Sequence, residues 1–88
     1  MPTISIFYGI IVRMLVETNG KHNIPHIHAK YNEHEVSVSL DGNILDGSLP
    51  QKQMNMLLAW VAIHEEDLKA NWETLNTTGD YCKIEPLK

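Results

Sequence analysis

Cysteine is almost missing from this chain: Cys82 is the only one in 88 residues. That excludes an intramolecular disulfide and a four-thiolate zinc site, and it fits a reducing compartment. Basic residues are scarce too, with 7 Lys and Arg against 11 Asp and Glu and a net charge of −4. Such a balance lacks the positive footprint that holds a phosphate backbone, so nucleic acid is a disfavoured partner. No apolar run reaches membrane-spanning length, because Arg13 interrupts the first one, and Met1 to Ser5 carries no basic leader. A cytoplasmic location is the expectation. Repeats, low-complexity tracts and Pro/Gly/Ser linkers are lacking as well, and Glu65-Glu66-Asp67 reads as a solvated helix face. What remains is an ordinary apolar fraction of 43% over a short chain, which predicts one small domain spanning 1–88.

The first stretch, Ile4 to Glu17, alternates in the manner of one long strand. Ile4, Ile6, Tyr8, Ile10, Val12, Met14 and Val16 fall on one side, while Phe7, Ile11 and Leu15 make the other side too apolar to be left to water. A strand with two apolar faces is central in its sheet or covered by a partner. Gly9 marks a bulge or a close backbone approach within it. Asn19-Gly20 then supplies the positive φ that a chain reversal needs.

The next segment reveals its own turn. Ile27, Ala29 and Tyr31 are apolar at odd positions, whereas Val36, Val38 and Leu40 are apolar at even ones, so a single straight strand would expose one set. A two-residue turn at Asn32-Glu33 resolves the conflict. It pairs Tyr31 with His34, Lys30 with Glu35, Ala29 with Val36, His28 with Ser37, Ile27 with Val38 and His26 with Ser39. On this register His26 and His28 lie on the polar side of the hairpin, beside Ser37 and Ser39. A second two-residue reversal at Asp41-Gly42 would set Leu45 opposite Val38 and Asp46 opposite Ser37, bringing Asp46 diagonally toward His28.

From Pro50 the period becomes helical. Met54, Leu57, Leu58, Val61, Leu68 and Trp72 recur at three- and four-residue steps, and Met56, Trp60 and Ile63 form an adjacent second stripe. Thr77 to Asp80 ends the helix with turn chemistry, and Tyr81 to Ile84 reads as a short final strand before Pro86. The predicted fold is α+β. It has a small antiparallel sheet of about four strands, with the long first strand and the Asn32-Glu33 hairpin, packed against one long helix in the C-terminal half.

Chemistry concentrates in Pro25-His26-Ile27-His28. Two imidazoles two residues apart leave the same face of a strand, with Cβ atoms roughly 6.5 to 7 Å apart. So placed, they can share a metal, with His22 and Asp46 as the nearest further ligands, or divide the roles of general acid and base while Arg13 or Lys30 stabilises a phosphate. The plainer structural reading makes both rings part of a polar sheet face, hydrogen-bonded to Ser37, Ser39 or backbone. His64, between Val61 and Leu68, reads as the cap of the packed helix stripe. Trp60 and Trp72 read as core or interface residues, since no basic patch accompanies them for base stacking.

Several of these segments together resemble a bacterial family. They are Pro2 to Ser5 with Phe7-Tyr8-Gly9-Ile10, the Pro25 to Ala29 cluster, Asp41-Gly42, Trp60 with His64 and Leu68, Asn71-Trp72-Glu73, and Lys83 to Leu87. The chain resembles the domain-of-unknown-function family numbered 4160 over nearly its whole length. It departs from that family's usual pattern at Ile24, where a proline is common, and at Asn32, where a glycine is. The resemblance implies a small cytoplasmic protein encoded beside a member of a second small family, numbered 2442, in an arrangement of the toxin–antitoxin kind.

Three function classes follow. A protein-interaction module, self-associating or paired with the neighbouring-gene product, accounts together for the doubly apolar first strand, the wide helix arc and the small size. A small ribonuclease-like hydrolase would use His26 and His28 with Arg13. A metal-binding protein would use His26, His28 and either His22 or Asp46.

Overall fold

A computed structural model describes residues 2–15 and 24–88. The fold is α+β: a five-stranded antiparallel sheet in simple sequential order, followed by two helices. Where one long first strand is predicted, the chain makes a hairpin. Strand β1 (Thr3–Phe7) and strand β2 (Ile10–Arg13) are joined at Tyr8-Gly9, with Phe7 opposite Ile10. Both turn residues have positive φ, 48° at Tyr8 and 81° at Gly9, the signature of a tight turn that matches strand twist. A register shift between Thr3 and Ser5 turns the alternation inside β1. Ile4 and Phe7 are therefore both buried, while Ile6, expected to share a face with Ile4, is 59% exposed. Val16 and the Asn19-Gly20 reversal lie outside the described residues.

Strand β3 (His26–Tyr31) and strand β4 (His34–Ser39) pair in the register that parity predicts, at all six positions. Asn32 takes the left-handed conformation at φ 52°, which an Asn side chain tolerates. Strand β5 (Ile44–Gly47) reaches part of its predicted register by another route. The loop closes through Ser39 N–H donating to Asn43 C=O at 2.8 Å, which makes it a three-residue loop, Leu40-Asp41-Gly42, in place of the two-residue reversal at Asp41-Gly42. Val38 consequently faces Ile44, not Leu45, and a bulge then restores parity so that Asp46 does face Ser37.

The predicted single helix is two: α1 (Gln51–Ile63) and α2 (Glu65–Thr77). His64 lies between them at φ −108° and ψ 21°, outside helical geometry. Its ring leans on Trp60 and its Nδ1 sits 3.8 Å from the Asp67 carboxylate in the first turn of α2. Helix α1 buries Met54, Leu57, Trp60 and Val61, and α2 buries Leu68, Asn71 and Leu75. Trp60 thus belongs to the core, with Phe7 5.2 Å away, while its expected stripe-mate Ile63 is 66% exposed. Each of the large apolar side chains buried here contributes about 1.5–3 kcal/mol by leaving water.

No final strand forms at Tyr81 to Ile84. The segment runs beside β1, but a single backbone bond, Ile84 N–H to Ile4 C=O at 2.8 Å, is too little for a ladder. Side chains fix it instead. Asn71 bonds both backbone groups of Cys82, and Trp60 Nε1–H donates to the Glu85 carbonyl at 2.8 Å. Among the described residues no helix is long and apolar enough to cross a membrane.

Candidate functional site

The apolar residues Ile10, Val12, Ile27, Ala29, Val36 and Val38 belong to the buried cluster that the helices share, so alternation sends their neighbours to the opposite face of the sheet. One row there crosses all five strands: Thr3 pairs with Arg13, Arg13 with His28, His28 with Ser37, and Ser37 with Asp46. A second row, Ile6, Ile11, Lys30 and Glu35, lies beside it on the same face. The two rows enclose a cleft of about 300 Å³ lined by Arg13, His28, Lys30, Glu35, Ser37 and Asp46, with Ile11 at its β2 side.

Within the cleft Ser37 Oγ lies 3.1 Å from His28 Nδ1, a hydrogen bond that orients the imidazole. The charges are sorted. Arg13 and Lys30 occupy β2 and β3, whereas Glu35 and Asp46 occupy β4 and β5.

His26 stands apart from this cleft. It is fully buried rather than on an open polar face; its Nδ1–H donates to the Ile24 carbonyl at 2.7 Å and its ring packs 5.4 Å from Trp72 of α2. Its centroid is 5.0 Å from that of His28 in an edge-on arrangement, so the sequence pair is a spatial pair. Only His28 of the two lines the cleft. Ser39, opposite His26, turns its hydroxyl away to the Asp41 carboxylate and closes the β4–β5 loop by accepting the Asn43 N–H at 3.0 Å. The hydrogen bond from Ser39 holds the Asp41 carboxyl below the ordinary carboxylate range, with Asn43 adding a weaker one. On α2 the Glu65 carboxylate raises the Lys69 ammonium through a 3.0 Å ion pair.

The proposed site residues therefore divide. Arg13, His28 and Asp46 share one row, and Lys30 stands in the next. His22 lies outside the described residues. Among the described residues no group of three His, Cys, Asp or Glu is arranged to hold a metal ion. Two participants were hidden from pattern reading: Thr3 and Ile11 reach this face only because the chain folds back at Tyr8-Gly9. The available signal was Gly9, whose partner in the turn is a residue type that rarely makes one.

A family model described as Domain of unknown function (DUF4160) matches residues 9–73, most of the chain. The protein belongs to this family. No curated protein and no solved structure matches it. In this DUF4160 protein the match takes in β2 to β5, and with them every charged residue of the cleft. It also contains Asn71, Trp72 and Glu73. The structure shows what two of these do, since Asn71 fastens the C-terminal segment and Trp72 covers His26.

Proposed function

We propose that this chain is a cytoplasmic protein-interaction module, one component of a two-gene bacterial pair of the toxin–antitoxin kind, working through the sheet face turned away from its helices. One observation carries the reading: among the described residues the helices pack on one face of the five-stranded sheet, apart from Trp72 over His26 at the end of the other, and that other face presents a cleft with two cations, two anions and the half-buried Ile11. Mixed charge around a partly apolar centre is the composition of a protein-docking surface, where charge sets register and apolar contact adds affinity. Ile6 and Tyr8, both 59% exposed at the β1–β2 hairpin, extend the apolar side of that surface. The test is co-purification of the full chain with the neighbouring-gene product, with Arg13→Asp alongside. Stable capture that the substitution weakens supports the reading. Absence of any homo- or hetero-oligomer at micromolar concentration overturns it.

A hydrolase is the second reading, and the bond between Ser37 and His28 beside Arg13 is the observation that favours it. In that case His28 alone meets the substrate, Arg13 steadies an anionic group, and the buried His26 acts as a positioning residue. The metal-binding reading keeps the His26–His28 pair and requires its further ligands from His22 or a second chain, since no three described residues are arranged to hold a metal ion.

A further inference from the structure

We infer that the open sheet face is self-complementary and that its first occupant is a second copy of this chain, docked face to face about a two-fold axis parallel to the strands. This rests on reading that face as the working surface. The charges carry the argument. Arg13 and Asp46 stand in one row on β2 and β5; Lys30 and Glu35 stand in the next row on β3 and β4. The middle of these four strands falls between β3 and β4. A two-fold axis along that line carries β2 over β5 and β3 over β4 without moving any residue along the strand direction. Arg13 then faces Asp46 of the partner subunit, Lys30 faces Glu35 of the partner subunit, and every contact occurs twice because the interface is isologous.

The competing arrangements fail on the same charges. A two-fold axis in the face but across the strands sets β2 over β2 and β3 over β3, cation against cation. A uniformly acidic or basic partner would oppose half of the face. Distances agree with the two-fold solution: packed sheets stand about 10 Å apart with strands nearly aligned, a gap that an arginine or lysine meeting a carboxylate spans. The face is small. The four overlapping strands, about 4.8 Å apart with four residues of about 3.3 Å each, give roughly 250 Å² of flat area, well below the ~800 Å² per partner of a standard interface. The dimer belongs to the weak, salt-sensitive class.

Sedimentation velocity of the full chain, from roughly 5 to 500 µM at low and high salt, tests this directly. The wild type is expected to move from monomer to dimer across that range at low salt and to lose at least tenfold in affinity at high salt. Arg13→Asp and Asp46→Arg, each alone, are expected to remove the dimer, because each puts like charges across the axis. Mixing the two single variants is expected to restore it, and so is the double variant R13D/D46R. A merely structural role for either residue would produce neither rescue. Concentration-dependent amide shifts of the wild type at Arg13 and Asp46 provide the same answer if a variant fails to fold. A monomeric wild type throughout, a dimer indifferent to single reversals, or no rescue on mixing overturns the proposal. A monomer that still captures the neighbouring-gene product overturns this dimer while the interaction reading stands.

Discussion

The side-chain amide of Asn71 grips the backbone of Cys82 at both ends: Nδ2–H donates to its carbonyl at 2.6 Å, and Oδ1 accepts its N–H at 2.9 Å. Asn71 is buried and Cys82 is exposed, so Asn71→Ala removes two hydrogen bonds from a segment that little else fixes. The expected cost is about 1–3 kcal/mol in urea unfolding. Because the same residue fixes the segment that bonds to β1, amide exchange at Cys82 and Ile84 should accelerate more than in β3 or β4. Unchanged protection at Ile84 would assign the fastening to Trp60 alone.

Tyr8 is the opposite case, a residue that its own turn resists. It holds φ 48° at the first turn position while exposing 59% of its surface, so it carries strain and buries little in return. Tyr8→Asn creates the Asn-Gly pair favoured in this hairpin and should stabilise by about 1 kcal/mol. Thermal unfolding should then rise by about 4–8 °C. A lower midpoint would mean that the exposed ring contributes more than the turn costs.

This contrast locates what the sequence could reveal. The β3–β4 hairpin was legible because apolar positions change parity at Asn32-Glu33, and one register alone satisfies both sides. The β1–β2 hairpin was not, since Ile, Phe, Val and Met fill both faces and a Tyr-Gly turn interrupts the alternation without any Asn, Asp or Pro to announce it. The α1–α2 break at His64 has no Gly or Pro either, so the apolar stripe runs past it unchanged. The site was legible in its members and not in its layout. Arg13, His28, Lys30 and Asp46 were recognisable as chemistry, but the adjacency of Arg13 and His28 is a β2–β3 contact that local pattern cannot supply. The backbone bond of His26 fits the plainer structural reading, but its full burial is not legible, because alternation assigns a face and cannot say that a helix residue, Trp72, covers the end of it.

Gly47 fixes Asp46 in its row. It sits at φ 77°, and a Cβ there would lie 2.2 Å from the Glu35 carbonyl oxygen, a backbone atom held in the sheet. Gly47→Ala should therefore cost more than about 2 kcal/mol, combining a left-handed conformation with a clash that no rotamer relieves. Chemical denaturation reads the loss. Backbone shifts spreading from Gly47 into Glu35 and Val36 identify its source.

Asp41 provides a pH-dependent contribution with a definite sign. The Ser39 hydroxyl, then Asp41's own backbone N–H and after it the Asn43 amide, hold its carboxyl below the usual range in the folded chain. A depressed folded value favours folding above the ordinary carboxylate pKa, and that contribution disappears as pH falls through the lowered value. Asp41 is exposed to solvent, so the effect is best read site by site. A carbon-detected titration should place its midpoint below that of an ordinary aspartate, and Ser39→Ala should move it upward. A midpoint unmoved by Ser39→Ala would assign the shift to another donor.

The two histidines should separate when removed one at a time. His26→Ala empties a fully buried site, ends the packing on Trp72 and leaves the Ile24 carbonyl without its donor, at an expected cost of about 2–4 kcal/mol. His28→Ala removes a half-buried ring bonded to Ser37 and should cost about 0.5–1.5 kcal/mol. Function should divide the other way. If the chain is a docking module, His28→Ala leaves partner capture within severalfold of wild type, because the charged corners of the face are intact. If it is a hydrolase, the same substitution eliminates turnover while the fold and its melting transition persist, since His28 is the only histidine of the pair that lines the cleft. Metal content of untagged protein completes the set: stoichiometric metal lost in both variants favours the metal-binding reading, and metal-free protein with an intact melting transition removes a structural metal from consideration. The variant that separates binding from chemistry is thus His28→Ala, and His26→Ala is informative only after its fold has been verified.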